Sequence, residues 1–159
     1  MEIALANYQK KIPLQTKQIQ KIAQLILRYE GVHSGSLSLV FVTRQKIRAL
    51  NKKFLDRSTA TDVLAFDLRQ SFFKTKKRGE IIGEIIISPD AAKQNAKIYG
   101  TSVGDEIILY VTHGILHLLG YDDHDSTDIK KRREKEKEIL QYLSHEHDSQ
   151  NRRDRPQNF

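Results

Sequence analysis

Residues 102–125 read SVGDEIILYVTHGILHLLGYDDHD, and this stretch decides how the rest of the chain is interpreted. Ser102 begins a run that is apolar on nearly every side of a helix, which is typical of a helix buried in the centre of a domain. Gly120 ends the run, because glycine takes the left-handed conformation that follows a helix at little cost. We therefore predict a central buried helix that ends just before Gly120.

The same helix carries two histidines at a spacing that suits metal binding. His113 and His117 are four residues apart and lie one turn apart on one helix face, so both can reach one ion. A turn at Gly120 can then bring His124 back toward them. Such a pair can also be hydrogen-bonded core histidines, but the glycine stop and the third histidine favour three imidazole ligands with a vacant fourth position, as in catalytic zinc sites. Histidine sites also accept nickel or copper.

Length and composition indicate a single globular domain. The 159 residues include 38% hydrophobic and 30% charged residues and no cysteine, which excludes disulfides and thiolate metal sites. No apolar run approaches the length of a membrane span, and the first residues lack the basic and apolar blocks of a secretory signal. We expect a cytoplasmic protein without a membrane partner.

The charge balance is basic. A formal net charge of +7 and an isoelectric point near 9.6 favour an anionic partner such as nucleic acid. The charge is concentrated in residues 74–78 (KTKKR) and residues 130–137 (KKRREKEK). Both runs can equally be solvated surfaces, so the charge alone does not decide between a nucleic-acid role and an ordinary exterior.

Helical and strand patterns alternate before the histidine helix. Pro13 opens a helical pattern that Gly31 ends, and Ser88 followed by proline is a strong start for another helix. Strands are indicated by alternating or continuous apolar residues at 37–41, 62–66 and 81–88. These elements predict an α+β domain with a small mixed β-sheet of three to five strands, packed with helices, against which the central helix lies.

The C-terminal part is polar. A last helix is predicted after the third histidine, and it has no apolar residue between Ile129 and Ile139, so it must project into solvent there or be marginal. Residues 145–159 are polar and charged, and we expect them to be disordered. The predicted domain therefore spans residues 1–144.

The histidine pattern also limits the chemistry. An ion held by three imidazoles is a Lewis acid that lowers the pKa of a bound water to about 7 and so supplies a nucleophile. Zinc proteases with the motif His-Glu-x-x-His use the glutamate as general base, and here Gly114 occupies that position. Peptide hydrolysis is therefore disfavoured against phosphodiester cleavage, which depends chiefly on charge neutralisation and an activated water. Asp122, Asp123 and Asp125 can orient the imidazoles or can be turn and cap residues.

Residues 113–124 read HGILHLLGYDDH. This segment resembles the signature His-Gly-x-Leu-His-Leu-x-Gly-Tyr-Asp-His of the YbeY family of bacterial metal-dependent endoribonucleases. Upstream, residues 61–66 (TDVLAF) are similar to the family's Thr-Asp-Val-Leu-Ser-Phe, and residues 83–88 (GEIIIS) are similar to its Gly-Asp-Ile strand. The similarity covers most of residues 37–125.

Two positions depart from the family pattern. The family spaces its histidines as His-x3-His-x5-His, whereas one extra residue here puts Asp123 in the third position and His124 after it. We favour His124 as the third ligand, since a loop absorbs one residue at small cost, with the Asp123 carboxylate as the alternative. The family also has an arginine implicated in activity where this chain has Leu55. Arg57 can supply that guanidinium and is the candidate catalytic residue; its simpler interpretation is a plain loop residue.

The resemblance implies an α+β fold with the histidines in a cleft, and a zinc-dependent endoribonuclease specific for single-stranded RNA. It also implies a role in ribosomal RNA maturation and ribosome quality control, with the small ribosomal subunit as a partner. Two alternatives stay open: a metal-stabilised module that binds RNA or the ribosome without catalysis, and a metallohydrolase of another substrate class.

Overall fold

A computed structural model describes residues 1–55, 61–69 and 78–153 of the chain. Within these ranges there are four strands and five helices. In chain order they are β1 (Glu2–Asn7), α1 (Thr16–Tyr29), β2 (Ser34–Phe41), α2 (Arg44–Leu55), β3 (Val63–Asp67), β4 (Glu80–Ile87), α3 (Pro89–Tyr99), α4 (Val103–Leu118) and α5 (Ser126–Arg153).

The four described strands form one mixed sheet in the order β1–β2–β4–β3. β1, β2 and β4 run parallel, and β3 pairs antiparallel with β4 at the edge. The predicted α+β fold with a small mixed sheet is thus confirmed. β1 was not predicted as a strand, because Ile3 and Leu5 alternate with their neighbours over too short a stretch; its pairing with β2 is a tertiary contact.

The helix α4 packs against β3 and β4 and lies in the main core. Val111, Ile115 and Leu116 of this helix are each at most 1% exposed. The helix that carries the two histidines is therefore held by the core along much of its length. Among the described residues, no helix combines the length and the apolar character that crossing a membrane requires.

Two glycines let α4 approach the sheet closely. A Cβ at Gly114 would lie 2.7 Å from Cγ2 of Ile85, and a Cβ at Gly83 would lie 2.8 Å from Cδ1 of Leu118. Non-bonded carbon atoms prefer a separation of about 3.5–4.0 Å, so larger side chains would push the helix away. Zinc proteases have a glutamate at the position of Gly114. Here the close packing of α4 against the sheet itself explains why the residue is glycine.

Side chains fix both ends of α4. The backbone N–H of Asp105 donates to Oγ of Ser102 at 3.0 Å, and the backbone N–H of Ser102 donates to the Asp105 carboxylate at 3.3 Å, which together form a capping box. At the other end, Arg69 donates to the carbonyl of Leu118 and to both carboxylate oxygens of Asp67. Arg69 is only 7% exposed, so it ties the histidine-bearing end of α4 firmly to the edge strand.

Replacing Ser102 by alanine is expected to lower the free energy of unfolding by about 1 kcal/mol, because the backbone N–H of Asp105 loses its acceptor. Denaturant unfolding measures the change. Ser102→Asn keeps a capping oxygen and serves as the control, which should stay close to the wild type. An equal loss in both variants would contradict the assigned role of the cap.

One face of helix α5 is buried in its polar middle. Arg132 and Glu136 are each 8% exposed, and Ile139 is fully buried. The prediction of a projecting or marginal helix between Ile129 and Ile139 is therefore wrong. The two polar side chains pair with each other and with residues of the histidine segment. Because the buried side chains are charged, they produce no apolar periodicity in the sequence of the helix.

Composition predicts disorder from residue 145 onward, whereas α5 continues to Arg153. No glycine or proline interrupts the helix over this stretch, so nothing local ends it. A contact with α1 also holds its preceding turn, since the Tyr142 ring lies 4.6 Å from the Tyr29 ring. The domain boundary at residue 144 stays a prediction, and residues 154–159 lie outside the described part of the chain.

Candidate metal centre

Two imidazoles meet where α4 contacts α5. The Nε2 atoms of His113 and His117 lie 2.9 Å apart, and the ring centroids lie 4.4 Å apart. Their side chains are 24% and 28% exposed, respectively. The helical spacing of four residues therefore places two potential ligand nitrogens side by side at the margin of the core, within reach of solvent.

The turn after α4 brings a carboxylate to the same place. Gly120 has a φ of +95°, the left-handed conformation, and the chain reverses after it. Oδ2 of Asp123 then lies 3.3 Å from Nε2 of His117. The ligand atoms of His113, His117 and Asp123 all lie within 4.8 Å of one another. One ion with bonds of about 2.0–2.2 Å can be reached by all three after small side-chain adjustments.

His124 lies outside this cluster. Its side chain is 83% exposed, and its Nε2 is 3.7 Å from Oδ2 of Asp122. The structure thus brings the other two histidines together with Asp123, the alternative third ligand, and leaves His124 at the surface. The identity of the third ligand stays a prediction. Arg57, the candidate catalytic residue, falls within residues 56–60, outside the described ranges.

Two side chains of α5 close a ring of polar contacts around the cluster. Arg132 donates from Nε to Oδ1 of Asp123 at 2.6 Å and from Nη1 to Oε2 of Glu136 at 2.8 Å. Oε1 of Glu136 in turn lies 2.9 Å from Nδ1 of His113. The ring therefore runs from His117 through Asp123, Arg132 and Glu136 to His113.

Sequence reasoning missed Arg132 and Glu136. Both belong to the run KKRREKEK, whose composition predicts a solvated face or a surface for an anionic partner. A local signal did exist: an arginine and a glutamate at i, i+4, on a helix that begins directly after the histidine turn. The contact with the histidine segment itself could only be seen once α5 was placed against α4.

Nδ1 of His113 has two neighbours, Oε1 of Glu136 and Nη1 of Arg132, each 2.9 Å away. When Nδ1 carries the proton, it donates to Glu136 and leaves the Nε2 lone pair free for a metal ion. When Nδ1 is unprotonated, it accepts from Arg132, and the proton on Nε2 blocks that atom. A carboxylate partner favours the first tautomer, as is common for metal-ligating histidines, so Glu136 fits a metal site.

Local electrostatics favours the protonation states that a cation requires. Burial lowers the pKa of His117, and the neighbouring His113 lowers it further, so the neutral ring is favoured. Desolvation acts to raise the pKa of Asp123, but the hydrogen bond and the charge of Arg132 outweigh it and bring that pKa below its ordinary value. Neutral imidazoles and an ionised carboxylate are suitable donors for a divalent cation, so the residues present fit one.

The metal-free protein is expected to lose stability as the pH falls below about 6.5, the ordinary pKa of a histidine. His117 has a lowered pKa in the folded protein, so the unfolded chain binds a proton at this ring at a higher pH than the folded protein does. The stabilising contribution is thus present above the unfolded pKa and is lost below it. Urea unfolding across this range measures the slope, and His117→Gln should flatten it. An unchanged slope in the variant would assign the effect to other groups.

A family model described as Endoribonuclease YbeY matches residues 4–144, a range that contains His113, His117 and Asp123. This chain belongs to the YbeY family. A curated relative from Geobacter metallireducens, named Endoribonuclease YbeY, is 33% identical over 148 residues, which cover 92% of this chain and 98% of the relative. A relative of the same name from Aquifex aeolicus is 37% identical over 136 residues, covering 85% of this chain and 88% of the relative. The resemblance predicted from the histidine segment is therefore confirmed.

These two YbeY relatives match this chain over 98% and 88% of their own length, so the similarity concerns the whole domain. A solution structure of a Thermotoga maritima protein is similar with a TM-score of 0.63 and 24% identity, covering 99% of each chain. At that identity the likeness concerns the fold alone. The end of α5, from residue 145 onward, lies beyond the part that the YbeY family model matches.

Proposed function

We propose that the protein is a zinc-dependent endoribonuclease that hydrolyses phosphodiester bonds of single-stranded RNA and acts in ribosomal RNA maturation and ribosome quality control. The observation that carries the proposal is the cluster of His113, His117 and Asp123 in a chain of the YbeY family, whose curated members are named endoribonucleases. In this proposal ribosomal RNA and the small ribosomal subunit are the partners, and the cytoplasm is the compartment.

The donor set supports one zinc ion. Two imidazoles and a carboxylate with an open fourth position are typical of catalytic zinc sites. Once bound, the ion would supply Lewis acidity, which polarises a phosphoryl oxygen and activates water for attack on phosphorus. His113 and His117 would hold it through Nε2, while Glu136 keeps the His113 ring in the required tautomer. Nickel and copper accept the same donors, so elemental analysis of the purified protein identifies the metal.

For the third ligand we propose Asp123, and not His124, which the tolerance of a loop for one extra residue favours. Oδ2 of Asp123 is 3.3 Å from Nε2 of His117, whereas the His124 side chain is 83% exposed and is not part of the cluster. The metal content of two variants separates the candidates. Asp123→Ala is expected to bind metal more weakly and to retain less of it on purification, whereas His124→Ala should match the wild type; the reverse result would return the assignment to His124.

The charge on α5 supports an anionic substrate. One exposed side of this helix carries Lys130, Arg133 and Lys137. The other side of the same helical turns carries Arg132 and Glu136, which contact the candidate metal ligands. Phosphate groups bound to such residues release counterions, which gives affinity that weakens with salt.

Arg57 is proposed to stabilise phosphate charge during cleavage. An unchanged cleavage rate in Arg57→Ala would remove that role.

Incubation of the purified protein with single-stranded RNA tests the proposed activity. We expect cleavage by the metal-loaded protein, no cleavage after chelation, and recovery when zinc is restored, with the duplex form of the same RNA as the control for strand specificity. Intact single-stranded RNA in the presence of metal-loaded protein would reject the proposal. Tight, salt-dependent binding without cleavage would favour a non-catalytic RNA-binding module.

A further inference from the structure

The loop carboxylate needs an external support if it is to act as a ligand. Asp123 lies in the turn between α4 and α5, and its side chain is 41% exposed. A side chain at this exposure has several rotamers available, and they do not all direct the carboxylate at the histidines. The histidine side chains are less exposed, at 24% and 28%, and they stand on a helix that is packed in the core. The third donor is therefore the weakest point of the cluster.

Arg132 supplies that support. We propose that Arg132 is a positioning residue that holds Asp123 as the third metal ligand; the inference rests on the proposed metal site and concerns a side chain outside the ligand set. Its Nε binds Oδ1 of Asp123 at 2.6 Å, while Oδ2 of the same carboxylate lies 3.3 Å from Nε2 of His117. The two carboxylate oxygens of Asp123 therefore have different roles: Oδ1 accepts from the guanidinium, and Oδ2 faces His117 and would bind the ion.

The guanidinium is itself well fixed. The Arg132 side chain is 10% exposed and binds Oε2 of Glu136, one helical turn further along α5. Ile139, which lies on the same side of the helix, is fully buried in the core. Fixing a ligand through a rigid partner of this kind reduces the conformational freedom that metal binding would otherwise remove.

The positive charge of Arg132 repels a nearby cation, and this repulsion opposes the positioning effect. The guanidinium is in contact with two carboxylates, at 2.6 Å to Asp123 and 2.8 Å to Glu136. Both negative charges lie close to it, so its field at the ion is largely compensated. The positioning effect is therefore expected to dominate, and removal of Arg132 should weaken metal binding.

Zinc affinity, measured by competition with a chromophoric chelator, tests the proposal. Arg132→Met is expected to raise the dissociation constant by about 10- to 100-fold, the usual effect of losing a partner that orients a ligand. Arg133→Met removes the same charge from the exposed neighbouring position and is the matched control, with an expected change below about twofold. Unchanged or tighter binding in Arg132→Met would overturn the proposal. If the wild type binds no metal at all, the proposed metal site fails with it.

A double-mutant cycle shows whether Arg132 acts through Asp123. In an Asp123→Ala background, Arg132→Met is expected to change the zinc affinity by a clearly smaller factor than in the wild type, because the carboxylate that it holds is gone and only its contacts with Glu136 and His113 remain. If the double variant raised the zinc dissociation constant by the product of the two single-variant factors, Arg132 would act independently of Asp123. That result would reject the positioning role. The absorption spectrum of the cobalt-loaded protein should change in the same direction in both single variants, which a general loss of stability would not produce.

The milder substitution Arg132→Lys covers the case in which Arg132→Met does not fold. Lysine retains the charge but offers one point donor instead of a planar fork, so it cannot hold Asp123 and Glu136 in the same way. We expect an affinity between those of the wild type and Asp123→Ala, with thermal unfolding of the metal-free protein close to the wild type. Full wild-type affinity in Arg132→Lys would reduce the role to charge alone and contradict positioning.

Discussion

Replacing His117 by alanine is expected to remove the bound metal and to slow RNA cleavage by about 100-fold or more. The Nε2 atom of His117 lies 2.9 Å from Nε2 of His113 and 3.3 Å from Oδ2 of Asp123, so it joins the other two donors. A metal Lewis acid contributes several kcal/mol to charge stabilisation, and about 1.4 kcal/mol corresponds to a tenfold change in rate. Elemental analysis and cleavage rates on one preparation measure both effects.

His124→Ala is the matched control for this variant. It also removes a histidine of this segment, but one whose side chain is 83% exposed. We therefore expect the metal content and the cleavage rate of the wild type. Thermal unfolding of both metal-free variants distinguishes a lost ligand from a lost fold. If His117→Ala retained metal and the full cleavage rate, the cluster would not be the active centre.

Replacing Gly114 by glutamate, the residue that zinc proteases have at this point of the motif, is expected to lower the free energy of unfolding by more than about 3 kcal/mol. Even a Cβ at this position would lie 2.7 Å from Cγ2 of Ile85, and the carboxylate would enter the contact between α4 and the sheet. A domain is stable by only about 5–15 kcal/mol, so this loss would leave little margin. Urea unfolding measures it.

Gly104 offers a matched control in the same helix. It is exposed, and a Cβ there would have no neighbour closer than Oγ of Ser102 at 3.7 Å. Gly104→Glu replaces glycine by a better helix former in the first turn, where negative charge is favourable, so we expect unchanged or higher stability. Equal losses at both positions would show that the substitution itself, and not helix–sheet packing, is responsible.

Helix α4 and its histidine pair could be predicted because every signal that they need is local. The apolar run, the spacing of His113 and His117, and the turn at Gly120 are all visible within one stretch of the chain. The mixed sheet also followed from apolar runs of strand length. β1 was missed, because two apolar residues in a short segment do not distinguish a strand from a loop; its strand conformation accompanies parallel pairing with β2.

The polar side of α5 could not be predicted in the same way. Periodicity identifies buried helix faces only when they are apolar, and here Arg132 and Glu136 are buried through charge pairing. Whether Asp123 or His124 faces the histidine pair depends similarly on the path of the turn. One inserted residue changes which side chain arrives there, and spacing alone does not specify how a loop distributes the extra residue.

All five side chains of the polar ring, from His113 to Glu136, lie within one short stretch of the chain. Closing so short a loop costs little entropy compared with joining distant parts of a chain. An ion bound here would bridge the end of α4 and the turn that leads into α5, and would not touch the sheet. Its binding energy would therefore stabilise this helical hairpin selectively. Loss of the ion would consequently first increase amide hydrogen exchange in the turn and in α5, while the parallel strands stay protected.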